Sequence, residues 1–147
     1  MARGDLTVFE EFVDQIGEEQ HKFDSDTLKL GLIDNTAAPT AADATPTWSD
    51  YSANEVSTAG GYTANGETLT NVSWSEADGT ATLDADDVEL AQNGSGFTDA
   101  YYGILYNDTN GTDMAIAFVD LGGPVSEQDG PITISWNASG ILTVAVS

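Results

Sequence analysis

Residues 48–72, WSDYSANEVSTAGGYTANGETLTNV, specify more local conformations in succession than any other part of this chain. Ser49 is placed as the N-cap of a single helical turn running to Asn54, because a side-chain oxygen there satisfies the first free N–H groups, and Val56 is expected to pack beneath it. The Gly60-Gly61 pair permits a positive φ just before Tyr62, and Asn65-Gly66 is a tight-turn signal. Residues 69–74 then alternate as a strand. The stretch holds no nucleophile beside a base and no cluster of metal ligands. It reads as a structural corner made of Trp48, Ser49, Gly60, Gly61, Tyr62, Asn65 and Gly66, with Trp48 and Tyr62 as anchors and the task of aiming the preceding loop at a neighbouring molecule.

Upstream, Phe9, Phe12, Val13 and Ile16 fall at i, i+3, i+4 and i+7, which predicts a short amphipathic helix over residues 6–16. Its apolar face must cover a sheet or a neighbouring subunit. Residues 27–33 alternate as a strand, and residues 35–46, NTAAPTAADATP, have no period and read as a long exposed loop. That loop, with Pro39 and Pro46, and the helix residues Phe9, Phe12, Val13 and Ile16 are the expected subunit contacts.

Downstream, Ala77-Asp78-Gly79 predicts a hairpin between residues 72–74 and 80–83, while residues 84–90 are ambiguous. The runs AYYGILY (100–106) and MAIAFVDL (114–121) flank Asn110-Gly111 and predict a second hairpin, stopped by Gly122-Gly123-Pro124. Residues 131–136 and 141–146 predict a last hairpin around Asn137-Ala138-Ser139-Gly140, its apolar runs buried on both faces. Seven or eight short strands with one helix in front predict a mainly β fold: an antiparallel, jelly-roll-like β-sandwich with a short N-terminal amphipathic helix. With 147 residues, one domain over 1–147 is expected, residues 1–25 forming an N-terminal arm.

Charge decides the classes of partner. Asp and Glu number 25 against 3 Lys plus Arg, a formal net charge of -22. Phosphate neutralisation needs Lys and Arg, so nucleic acid is excluded as a partner, and an anionic membrane surface repels the chain. Self-repulsion on this scale is relieved when salt screens it, which suits a saline setting; an acidic protein of an ordinary host is the other reading. There is no cysteine, hence no disulfide and no thiolate metal site. No window approaches the roughly 20 apolar residues of a membrane span, and the first residues carry no signal-peptide pattern, so a soluble, unexported chain is expected.

Catalytic readings fare poorly. His21 is the one histidine, in a polar segment with no nucleophile motif, and reads as a solvated surface residue. Carboxylate pairs such as Asp24/Asp26 or Asp84/Asp86 have no specificity among 25 acids. The loop NDTNGTD, with Asp108, Asn110, Gly111 and Asp113, resembles a calcium loop, but its register fails at Tyr106 and Ala117, and it reads as turn chemistry. Trp48, Trp74 and Trp136 with Tyr101, Tyr102 and Tyr106 offer a sugar-stacking platform, against the commoner fate of core packing. Sequons beginning at Asn71, Asn93, Asn107, Asn110 and Asn137 read as turns, and Arg3-Gly4-Asp5 as chance. No catalytic residue, cofactor or metal is expected.

The order of DTLKLGLI, a Thr/Pro-rich loop, WSDYSANEV, GGYTANGETL and a Trp-containing strand, most strongly over residues 26–74, resembles a family of small head-associated virion proteins of tailed viruses. The resemblance implies a capsid decoration, or cement, protein: a β-sandwich on the outer shell, bound to the major capsid protein and often trimeric, made in the host cytoplasm. The acidic surface then points to a marine or halophilic host. Two other readings stay open: a carbohydrate-binding β-sandwich for host attachment, and a tail-tube or connector subunit.

Overall fold

The computed structural model describes residues 5–147. It is mainly β, with ten strands: β1 (Leu6–Val8), β2 (Leu28–Ile33), β3 (Glu67–Thr68), β4 (Ser73–Ala77), β5 (Thr80–Asp84), β6 (Val88–Leu90), β7 (Ala100–Asn107), β8 (Ala115–Val125), β9 (Ile132–Ile134) and β10 (Leu142–Ala145). Two short helices, α1 (Phe12–Gly17) and α2 (Trp48–Tyr51), complete it, α2 running on into a 3-10 turn at Ser52–Asn54. All pairings are antiparallel, in a five-stranded sheet ordered β1-β8-β7-β2-β3, a three-stranded sheet β10-β5-β4 and a two-stranded ribbon β6-β9.

The alternation of β2 shows how the layers form. Leu28, Leu30 and Leu32 point into the main core, which also takes Leu83 of β5, Val88 and Leu90 of β6, Ile132 and Ile134 of β9 and Leu142 of β10. The large sheet thus faces the two smaller ones across one apolar layer, an arrangement compatible with a sandwich. Ile33 turns to the opposite face and joins a second cluster of Phe9, Trp48, Tyr51, Ile104, Tyr106, Ala115 and Phe118. The five-stranded sheet is therefore covered on both faces, and the second cover is the stretch built around Trp48.

Both hairpins predicted from Asp78-Gly79 and Asn110-Gly111 form, though neither Asn110 nor Gly111 takes a positive φ. Asp78 and Gly79 take φ of 51° and 81° between β4 and β5, and β7 pairs with β8 across the 108–114 loop. Elsewhere tertiary context overrides local pattern. The helix predicted over 6–16 is confined to Phe12–Gly17, because Leu6–Val8 pairs with Ala117–Val119 as an edge strand. A ladder on an existing sheet outcompetes a helix too short to persist alone. Nor do the four apolar residues form one stripe: Phe9 enters the second cluster, Phe12 the main core, and Val13 and Ile16 remain exposed.

Gly122-Gly123-Pro124 does not stop β8, which continues to Val125 with φ of 75° and 113° at the two glycines and a shifted register opposite β7. Residues 69–72 form no strand; the chain turns there between β3 and β4. The last two strands are not a hairpin: β9 pairs with β6 and β10 with β5, each burying one face only. Trp136 is held instead at residues 86–87, its backbone N–H donating to Asp87 Oδ1 at 3.0 Å and its indole N–H to the Asp86 carbonyl at 2.9 Å.

Candidate functional site: the corner and the apolar groove

The corner begins at Thr47, two residues ahead of the expected cap. Its backbone N–H and hydroxyl both donate to the Asp50 carboxylate, at 2.8 and 2.9 Å, so Ser49 lies inside α2 rather than capping it. Hydrogen bonds from Trp48 N–H to the Asp113 carbonyl and from Ala115 N–H to the Pro46 carbonyl, both 2.9 Å, fix the turn to the start of β8. Trp48 then lies over Gly31, where any Cβ would stand inside the indole. Its ring stacks on Tyr106 with centroids 5.2 Å apart and planes within 2°.

Glu55 ties the far side of the corner. One oxygen, Oε1, accepts from the Tyr62 hydroxyl at 2.8 Å and from Asn65 N–H at 2.7 Å, while the Tyr62 oxygen accepts from Leu32 N–H at 2.9 Å. Burial first, and then hydrogen bonding to Glu55, push the Tyr62 phenol well above its ordinary range. Tyr106 donates its hydroxyl to the Asn65 carbonyl, and Trp48 donates its indole N–H to Asn65 Oδ1 at 3.4 Å. Asn65 has φ 66° and Gly66 φ 101°, and a Cβ on Gly66 would stand 2.8 Å from the backbone of Leu30 and Gly31, leaving no room for a side chain. Val56 does not sit beneath α2; it lies across the sheet in the main core.

Gly60 and Gly61 are needed for space rather than for positive φ, which neither adopts. They, with Gly96, surround the side chain of Glu127, which is fully buried; a Cβ on Gly61 would be 2.6 Å from Oε1. Gly61 N–H donates to Oε1 at 2.7 Å, and no described residue offers Oε2 a hydrogen bond. The backbone of Glu127 bonds to the Phe97 carbonyl and the Asn93 N–H at 2.9 and 3.0 Å. Glu127 thus joins three loops. Nothing in its local sequence distinguishes it from the other acids.

The loop over residues 35–46 is not a free arm. Pro39 and Pro46 are buried, Glu10 N–H bonds to the Ala41 carbonyl at 2.9 Å, and Asp43 accepts from the Tyr51 hydroxyl at 2.7 Å and the Thr40 hydroxyl at 2.6 Å. Burial opposes ionisation of Asp43, but these hydrogen bonds outweigh it and hold the carboxyl below its usual range. The corner therefore clamps the loop to its own sheet.

His21 is not solvated. It stacks on Phe23 at 5.5 Å and 5° and meets Phe12 in a tilted contact at 5.8 Å; its Nε2 lies 2.7 Å from Gln15 Oε1 and its Nδ1 3.1 Å from Asn107 Nδ2. The amide partners assign the neutral ring with its proton on Nε2. Burial, opposed by the nearby Asp26, lowers its pKa to about 4. The network packs α1 and the segment after it onto the end of β7.

The remaining candidates are used locally. In the 107–113 loop, Asn107 Oδ1 accepts from Thr109 and Asn110 N–H, Asn110 Oδ1 accepts from Thr112, and Asp108 pairs with Lys29 at 3.1 Å. Asp86 accepts from Thr70 and Asn71, and Asp26 from Lys22 N–H and Asn107. Among the described residues no group of three or more His, Asp or Glu side chains gathers to hold a metal. The six aromatics form no single platform: Trp48 and Tyr106 are buried in the second cluster, while Trp74 and Trp136 pack against the main core. Arg3 and Gly4 lie outside the described residues.

What does face outward is apolar in two places. Val13, 78% exposed, and Ile16, 42% exposed, lie on α1, and Val146 near the chain end is 84% exposed. Ile16 lines a groove of about 330 Å³ with Phe23, Trp74 and Val144, together with the polar residues His21, Lys22 and Asp24. No described helix is long and apolar enough to cross a membrane. Comparisons with models of protein families, with curated proteins and with solved structures return no match.

Proposed function

We propose that this chain is a structural virion protein that decorates and stabilises the outer surface of a tailed-virus capsid, bound to the major capsid protein and assembled as a homotrimer or similar homo-oligomer. The observation that carries it is the resemblance of residues 26–74 to head-associated virion proteins. The structure supports the role in one respect: the distinctive residues of that stretch hold backbone in place, Trp48 and Tyr51 on the second face of the large sheet and Val56, Tyr62 and Leu69 in the main core. Trp48 stacks on Tyr106, Glu55 ties Tyr62 to Asn65, and Gly60-Gly61 admits Glu127. A jelly-roll-like sandwich stiffened on both faces of its larger sheet suits a clamp on a shell.

The test is reconstitution: purified shells lacking the protein are incubated with it and imaged. Saturable binding at the junctions between capsomers supports the role, and absence of shell binding or assembly into tail rings refutes it. Deleting residues 1–20 is a poor variant for this purpose, since Leu6–Val8 is part of the sheet and Phe9 and Phe12 are buried.

A further inference from the structure

We propose that Val13, Ile16 and the adjoining groove form the docking surface for a partner protein that presents an apolar side chain within a basic rim. It rests on the decorating role only in that both have the chain act by binding. Val13 and Ile16 are three residues apart on α1 and so share a face, and they supply two of the three large hydrophobic side chains left exposed among the described residues. Their mount is anchored: Phe12 and Gln15 on the other side of α1 are buried, and His21 packs against Phe12. Beside Ile16, the groove walled by Phe23, Trp74 and Val144 offers aromatic and aliphatic surface to an inserted side chain. An apolar anchor in such a pocket, fenced by polar groups, is the usual architecture of a binding hot spot.

Charge selects the occupant. Asp14 stands between Val13 and Ile16 on α1, Glu18 and Glu19 follow at its end, and all three are exposed, as is Asp24 in the groove's lining, with Lys22 the one Lys or Arg there. A second copy docking through this same face would set one acidic rim against another. Anionic lipid meets the same repulsion. A basic-rimmed protein surface meets both demands, the apolar contact and the neutralisation of the rim.

The probe is a synthetic amphipathic helical peptide of Leu and Lys, titrated into the methyl-labelled full chain at about 0.15 M salt. A Gly/Lys peptide of equal charge is the control. The expected result is that the methyls of Val13, Ile16 and Val144 and the Trp74 indole shift with the Leu/Lys peptide alone, and that Val13→Ser/Ile16→Ser weakens binding by about tenfold. Both positions are exposed, so the variant folds. Equal, scattered shifts from both peptides, or unchanged affinity in the double variant, overturn the proposal. So does concentration-dependent dimerisation abolished by the same substitutions, which assigns the patch to a second copy. Wild-type shell binding by Val13→Ser/Ile16→Ser would remove this surface while leaving the decorating role standing.

Discussion

The indole of Trp48 lies flat on the ring of Tyr106, centroids 5.2 Å apart, in space left open by Gly31 on the neighbouring strand. That stack closes the second face of the five-stranded sheet. Gly31→Ala would drive a methyl group into the indole, and overpacking of this kind costs about 1–3 kcal/mol. Trp48→Ala leaves a void and should cost about 3–5 kcal/mol. Denaturant unfolding of the two variants, with near-ultraviolet circular dichroism to follow the stacked rings, checks both; an unchanged midpoint in Gly31→Ala would show that the cover is loosely packed.

Glu127 should respond to its two oxygens separately. Glu127→Gln keeps the acceptor for Gly61 N–H and removes an ionisable group from a buried site, so its melting temperature should match or exceed that of the parent. Glu127→Ala orphans that N–H and opens a hole among three glycines, at about 1–3 kcal/mol. Gly96→Ala should be destabilising through collision with the same carboxyl group. Equal losses in Glu127→Gln and Glu127→Ala would contradict this assignment of roles.

His21 gives the acid limb of stability a specific contributor. Its folded pKa of about 4 lies below the ordinary 6.5, so the unfolded chain binds the proton more tightly. The stabilisation is fully present above pH 6.5 and is lost as pH falls from there towards about 4. Allowing for residual solvent contact, it amounts to about 1–2 kcal/mol. Protonation of Nδ1 also turns an acceptor for Asn107 into a second donor facing it. Measured unfolding free energies at pH 7 and pH 4.5 should differ more in the parent than in His21→Gln, and the nuclear magnetic resonance titration of the ring should fall well below 6.5.

How far the fold was legible depended on whether neighbouring residues determine each element. Asp78-Gly79 forces a reversal by itself, and the polar loop around Asn110-Gly111 separates two strongly β-prone runs, so the β4–β5 and β7–β8 hairpins follow from sequence. The signal at Asn137-Ala138-Ser139-Gly140 also marks a turn, but β9 pairs back to residues 88–90 and β10 to residues 80–83, where no local pattern points. The spacing of Phe9, Phe12, Val13 and Ile16 matches a helix, yet the residues go to two cores and to solvent, because an edge strand was available at β8. Within the corner, the residue types were legible and several of their tasks were not. Thr47 displaced Ser49 as the cap because Asp50 lies three residues beyond it, and the Gly60-Gly61 pair serves a carboxyl group distant in sequence.

Salt should stabilise this chain without any specific cation. With 25 acidic residues against 3 basic ones, mutual repulsion weakens as the Debye length falls to about 3 Å at 1 M salt. Thermal melts should rise with sodium chloride and stay unmoved by a chelator. A fall in melting temperature on chelation would place a divalent cation among the carboxylates.

The most direct measurement of the central claim is an image reconstruction of shells incubated with the full chain. The proposed role predicts stoichiometric density on the outer surface, at capsomer junctions. Shells that stay bare at saturating protein, with the chain found in tail rings or bound to glycan instead, would contradict it.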